Sequence, residues 1–384
     1  MAALRKSLAA AALSGALIQC AQANTHVDWP LWQAYAAQFI QHDGRVVEFS
    51  ADARTTSEGQ AYALFFALVA NDRRRFENIL HWTEANLADG ALGKNLPAWL
   101  WGRDPNGAWK ILDTNAASDA DLWLSYALLE AGRLWKQKPY SVLGEQLLEQ
   151  IVAREVVELP NLGPALLPGP HGFALPEHQW RLNLSYTPLP LLRRLSEQQP
   201  TGPWQRIAET TVYLAQAASS HGLVPDWLAY DAQLGVIADP AKGPLGSYDA
   251  IRVYLWAGMI DAHDPLATPL RNAVAGMAQL MRRSNGIPES VNTATGEAFG
   301  YAPIGFSAAV LTYLNALGEK DLLAQHSARL AAARHQGLVG ETPRYYDQNL
   351  ALFGTGWFER RFRFDVLGFL MTSWRESNAK QNSE

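Results

Sequence analysis

The sequence predicts an all-α domain, on three observations. Apolar residues recur at helical spacing from one end of the chain to the other. No segment carries the sustained in-and-out alternation of a half-buried strand. Runs that are apolar on more than one face accompany runs that are apolar on a single stripe, the pattern of inner and outer helices in a ring of helical hairpins.

Taken in order, the first 23 residues stand apart from that pattern. Arg5 and Lys6 precede an apolar run from Leu8 to Ile18 and the small-residue stretch Ala21-Gln22-Ala23, which reads as a secretory signal cleaved after Ala23. The run is too short for a comfortable transmembrane helix, so no membrane anchor is expected. Cys20, the only cysteine, lies in this leader, and the bulky Gln19 before it suits a lipoprotein cleavage site poorly. Residues 24–384 are therefore expected to form a single domain without disulfides, held by its core alone.

Within that domain helices are expected to begin near Trp29, Ser57, Asp72, Ser118, Tyr140, Tyr186, Pro203, Tyr248, Pro265, Gly305, Lys320 and Tyr345. The Gly- and Pro-rich stretches 88–117, 156–185, 220–247 and 284–304 each precede a helix rich in small and apolar residues. Segments 58–70 (EGQAYALFFALVA) and 305–317 (GFSAAVLTYLNAL) read as inner helices. Segment 72–87 reads as an outer one, with Phe76, Ile79, Leu80, Thr83 and Leu87 on one stripe and Arg73, Arg74 and Glu77 off it.

Three of these helices open on an acid just behind a serine: Ser57-Glu58, Ser118-Asp119 and Ser247-Tyr248-Asp249. Serine is favoured at a helix N-cap, and Gln60 and Asp121 three residues on complete capping-box patterns for the first two. One such acid alone is ordinarily a charge stabilised by the helix dipole, and Arg252 offers Asp249 an ordinary ion-pair partner one turn on. Three in one domain suggest a carboxylate-lined cleft in which two carboxyls divide acid and base work. The dipole should lower the pKa of Glu58, so burial beside Tyr62 or a neighbouring carboxylate must win if that residue is to act as an acid.

Asp119-Ala120-Asp121 reads poorly as a metal pair, because side chains two apart on a helix diverge and the His and Cys ligands favoured by zinc are lacking nearby. Fourteen tryptophans are many for this length. Trp99, Trp101 and Trp109 sit in the first long link, Trp180 and Trp227 in later ones and Tyr186 at an expected helix start, where flat aromatic faces suit pyranose rings even though a single tryptophan is more often core. A net charge of −5, more negative once Arg5 and Lys6 leave with the signal, suits neither nucleic acid nor an anionic membrane. There is no phosphate-cradling glycine loop, no Gly-x-Ser-x-Gly elbow and no histidine cluster, which argues against nucleotide, serine-hydrolase and zinc chemistry.

Ala117-Ser118-Asp119-Ala120-Asp121 resembles the signature of glycoside hydrolase family 8, and Thr56-Ser57-Glu58-Gly59-Gln60 and Ser247-Tyr248-Asp249-Ala250-Ile251-Arg252 resemble its other two acidic blocks, in the family's order. The likeness extends through 96–102 (LPAWLWG), 305–309 (GFSAA) and 352–357 (LFGTGW), blocks similar to those of the periplasmic endoglucanases that accompany bacterial cellulose synthase. Leu124-Ser125 departs from the Ile/Met-Ala pair usual in the signature helix.

The resemblance implies an (α/α)6 barrel, a toroid of six helical hairpins, and inverting hydrolysis of β-1,4-linked glycans without metal or organic cofactor. It implies Glu58 as general acid, Asp249 as general base and Asp119 as the group that holds the sugar at the cleavage point. Trp99, Trp101, Trp109, Trp180, Tyr186, Trp227, Tyr248 and Arg252 are the expected substrate-binding residues. Expected partners are β-1,4-glucan chains and the cellulose synthase and export machinery, in the periplasm or outside the cell. Two rivals remain at this point: a polysaccharide lyase, which would give unsaturated products, and a non-catalytic glucan-binding component of cellulose export.

Overall fold

The computed structural model describes residues 28–375, so the expected signal segment lies outside the described residues. Thirteen α-helices are present among them. They are α1 (Pro30–Phe39), α2 (Ser57–Val69), α3 (Arg73–Leu87), α4 (Ser118–Trp135), α5 (Lys138–Glu155), α6 (Leu189–Gln198) and α7 (Trp204–Ala218). The second half adds α8 (Ala250–Met259), α9 (Ala267–Ala273), α10 (Gly276–Ser284), α11 (Ile304–Leu317), α12 (Lys320–Ala332) and α13 (Tyr345–Phe358).

These helices form an (α/α)6 barrel. The inner ring runs α2, α4, α6, α8, α11, α13, each packed on the next. It closes where Phe353 of α13 meets Phe65 and Phe66 of α2, with ring centroids 5.7 and 4.6 Å apart. Every residue of α2 is buried except Glu58, and all ten residues of α8 are buried, as an inner helix between two neighbours and an outer layer must be. The outer helix α3 instead buries one stripe, including Phe76, Ile79, Leu80, Thr83 and Leu87. Trp123, Trp256, Phe65 and Phe353 meet across the ring at 4.8–5.7 Å and plug it, giving the cleft above a solid aromatic floor.

Close helix contacts set this ring. A Cβ on Gly258 of α8 would run into the backbone of Thr312 and Tyr313 on α11, and one on Gly354 of α13 would meet the Ala308 carbonyl of the same helix. The fifth outer position is taken by two short helices instead of the single one expected from Pro265. The chain breaks at Gly276 because the loop ending in His221 and Gly222 presses against it, and the Gly276 N–H donates to the Gly222 carbonyl at 3.0 Å. Two other starts are displaced. α5 begins at Lys138, and Tyr186 sits in a short 3-10 turn ahead of Pro188, with α6 beginning only at Leu189.

The long links are not featureless loops, which corrects the expectation of a chain without strands. They fold into short antiparallel pairs of two to five residues, too short for the alternation to register in sequence. Thr55–Thr56 pairs with the hairpin Leu100–Arg103/Trp109–Asp113, and 174–182 pairs with 228–238 in a four-stranded sheet.

Candidate active site

Three links are tied to the starts of inner helices, and those ties set the acids. Thr56, not Ser57, caps α2: its hydroxyl accepts from the Gly59 N–H at 3.2 Å, while the Ser57 N–H donates to the Trp99 carbonyl at 3.0 Å. Ser118 likewise does not cap α4; its N–H donates to the Pro168 carbonyl. At α8 the capping group comes from a link. Oδ1 of Asp226 accepts the backbone N–H groups of Ser247, Asp249 and Ala250 at 2.7–3.0 Å. The capping boxes expected from Gln60 and Asp121 are absent. Gln60 instead accepts from the Val46 N–H and donates to the Thr83 hydroxyl, holding the 44–46 turn against α3.

Glu58 and Asp249 line one cavity of about 380 Å³, with Tyr62, Trp99, Tyr186, Tyr248 and Arg252. Tyr345, Tyr346 and Asn349 of α13 and Glu48, Arg54 and Thr56 ahead of α2 complete it. A second cavity of about 460 Å³ shares Glu58, Trp99 and Tyr186 with the first and adds Phe173, Arg181 and Trp227. Glu58 thus stands where the two halves of one groove meet.

Arg252 is the buried cation of the site. Its Nη1 donates to the Tyr62 hydroxyl at 3.0 Å and to Asp119 Oδ2 at 3.2 Å; its Nη2 donates to Asp249 Oδ1 at 2.7 Å and to the Ser185 hydroxyl at 2.9 Å. The indole N–H of Trp227 donates to the other oxygen of Asp249 at 3.0 Å, so both oxygens of that carboxyl are fixed. Asp119 is buried beneath the groove, 1% exposed, with its Oδ1 accepting the Ala120 N–H at 2.9 Å. Asp119 and Asp121 diverge as helix geometry requires: Asp119 faces Arg252, and Asp121 faces Glu155.

These surroundings settle the contest over Glu58. Burial, followed by the charge of Asp119, pushes its carboxyl up to about 7, against the helix-start N–H, Arg252 and the Thr56 hydroxyl. Asp119 rises to about 6, again through burial, with Arg252 opposing. Behind them Asp121 and Glu155 are fully buried, and their four oxygens meet no donor other than each other's carboxyl. Burial pushes Glu155 up to about 8 and Asp121 well above the usual carboxylate range, so the pair faces itself across a held proton.

With that geometry in place, the comparisons with known proteins converge. The profile of the glycosyl hydrolases family 8 matches residues 5–360. The chain is 49% identical over 348 residues to an endoglucanase of Xanthomonas axonopodis pv. citri (strain 306), covering 90% of each chain. It is 43% identical over 356 residues to an endoglucanase of Escherichia coli (strain K12), covering 92% of this chain and 94% of that one. Its fold matches the endo-1,4-D-glucanase from Vibrio fischeri ES114 with a TM-score of 0.84 at 39% identity, over 90% of this chain and 99% of the other. The chain belongs to glycoside hydrolase family 8.

Of the groove residues expected from sequence, this family 8 enzyme brings together Glu58, Asp249, Trp99, Tyr186, Trp227, Tyr248 and Arg252. Three tryptophans are elsewhere. Trp101 and Trp109 stack on each other at 4.9 Å and 13° with the Arg45 guanidinium over both, and Trp101 packs edge-on against Trp82 of α3. Strand alternation explains this: neighbouring Gly102 faces Arg54, a groove residue, so Trp101 faces the outer layer. Trp180 pairs with Tyr230 across its strand and packs on the core, while Arg181 next to it reaches the groove. Arg252 is not the surface ion pair that its spacing from Asp249 allows but the buried bridge between two acids.

Sequence reasoning missed Asp226, Glu155 and the Tyr345-Tyr346 pair. The last carried a signal, being two tyrosines at the start of an expected helix. Asp226 and Glu155 meet their partners only through the fold.

Proposed function

We propose that the protein is an endo-acting β-1,4-glucanase that cleaves cellulose-like chains with inversion of the anomeric carbon. The observation that carries this is the placement of Glu58 and Asp249, nearly two hundred positions apart, on the wall of one groove with Arg252 and Trp227 fixing Asp249.

Glu58, protonated up to about pH 7, gives its proton to the glycosidic oxygen as the bond to the anomeric carbon breaks. Asp249 takes a proton from the water that attacks that carbon from the opposite face. For inversion the two carboxyls stand about 6.5–9.5 Å apart, leaving room for the water. Asp119, held by Arg252 and Tyr62, positions the sugar at the cleavage point. Trp99, Tyr186 and Trp227 offer aromatic faces on both sides of Glu58, which suits a chain lying through the groove and cut internally.

A lyase reading finds no support in Arg252, whose guanidinium is already paired with two carboxylates instead of being free to neutralise a uronate. The leader-like first 23 residues support export to the periplasm or beyond, and the likeness to endoglucanases of the cellulose-synthase systems supports work on nascent cellulose beside that machinery.

The decisive variants are Glu58→Gln and Asp249→Asn. Each should lose turnover on carboxymethyl cellulose by about 10²–10⁴-fold while still binding cello-oligosaccharides in calorimetry. Undiminished turnover in either would end the assignment.

A further inference from the structure

Two exposed aromatic side chains outside the groove, Phe299 and Tyr301, connect to a third inside it, Tyr248. Tyr248, 41% exposed, lines the groove beside Asp249 and donates its hydroxyl to Glu289 at 2.8 Å. The Ser247 hydroxyl donates to the backbone carbonyl of Glu289 at 2.7 Å. Glu289 packs against Gly300, where a Cβ would lie 3.0 Å from its carboxyl oxygen. Gly300 is flanked by Phe299, 45% exposed, and Tyr301, 65% exposed. The 284–304 link that carries them precedes inner helix α11, as the groove-lining links 88–117, 156–185 and 220–247 precede α4, α6 and α8.

Tyr301 is held although it is open to solvent. The Arg329 guanidinium lies 4.3 Å from its ring centroid and is itself anchored, donating to the Ser307 hydroxyl at 2.9 Å and the Ala302 carbonyl at 2.6 Å. The ring edge lies beside Gly286, where a Cβ would stand 3.4 Å from Tyr301 Cε2, in ordinary contact. One ring face is propped on a fixed cation and the other is left to solvent. Single exposed aromatics need no explanation, but an immobilised one continuous with an aromatic groove has the form of a platform.

We propose that Tyr301 and Phe299 form an outlying glucan-binding subsite, on which the β-1,4-glucan chain leaving the groove past Tyr248 rests the apolar faces of its pyranose rings. The subsite rests on the glucanase reading above. It adds hold on long chains without touching the bond that is cut. An immobilised platform binds without first paying to order its ring.

The test is a length series. The double variant Tyr301→Ala/Phe299→Ala is compared with wild type on cellotriose through cellohexaose and on carboxymethyl cellulose. The wild-type to variant ratio of kcat/KM should be near one for the shortest substrate and rise to about 3–10-fold on the polymer, carried by KM. In native gels cast with hydroxyethyl cellulose the variant should run with less retardation, and Tyr301→Trp should restore it. A flat ratio across chain length together with unchanged retardation would overturn the subsite. A wild type that cleaves none of these substrates would instead overturn the glucanase reading itself.

Discussion

At the scale of single residues, the site is a small set of carboxyls with one buried cation among them. Glu58 has the central position, because burial beside Asp119 keeps it protonated up to about pH 7 despite the helix start on which it sits. As the proposed general acid it works protonated, so kcat/KM should fall as pH rises through about 7, read from pH-rate profiles on a soluble cello-oligosaccharide. An Asp119→Asn variant removes the neighbouring charge and should move that alkaline limb to lower pH. A limb that stays in place would show that burial alone sets the acid. The three acids were legible in sequence because each opens a helix that is itself legible. Their supports were less so. The serines that read as caps are one residue off the true cap at Thr56, displaced at α4 by a carbonyl across the link, and replaced at α8 by Asp226, from the far end of the link that holds Ser247. Trp101 and Trp109 look like groove residues by composition, but period-two alternation in the four-residue strand Leu100–Arg103 turns Trp101 to the outer layer, and Trp109 of the paired strand stacks on it there.

At the scale of elements, the chemistry depends on how helix starts are held. Asp226 accepts three backbone N–H groups at the start of α8 and so fixes the backbone that carries Asp249. Asp226→Ala should lower kcat by about 10–100-fold with little change in KM and cost about 1–2 kcal/mol of stability. Asp226→Asn keeps an oxygen in the same place and should recover most of both. Equal losses in the two variants, measured by steady-state kinetics and thermal melts, would contradict a purely positioning role. The ring itself has a comparable weak point in Gly354, whose missing Cβ admits the Ala308 carbonyl of α11. Gly354→Ala should destabilise by about 1–3 kcal/mol through overpacking, visible as a lowered Tm. Inner and outer helices were readable because burial on all sides and burial on one stripe leave different composition patterns. The strands in the links were not readable, since two to five residues cannot establish a period.

At the scale of the whole molecule, the groove is a cost that the barrel carries. Glu58 and Glu155 hold their protons to about 7 and 8, against 4.5 in an unfolded chain. Between those values the folded state binds more protons than the unfolded one, so stability falls as pH rises from about 4.5 to 8. Calorimetry should therefore give a higher Tm near pH 5 than at pH 8. Glu155→Gln should raise the Tm at pH 8, relieving about 1–3 kcal/mol. The ring of six hairpins supplies what this strain needs, a plugged aromatic centre under a groove formed by the starts of its inner helices. The most direct test of Glu58 and Asp249 as an inverting acid and base is time-resolved proton NMR of cellohexaose cleavage. The first signal from the new reducing end should be the α-anomer, relaxing to the equilibrium mixture by mutarotation. A β-anomer appearing first, or an unsaturated sugar, would contradict it.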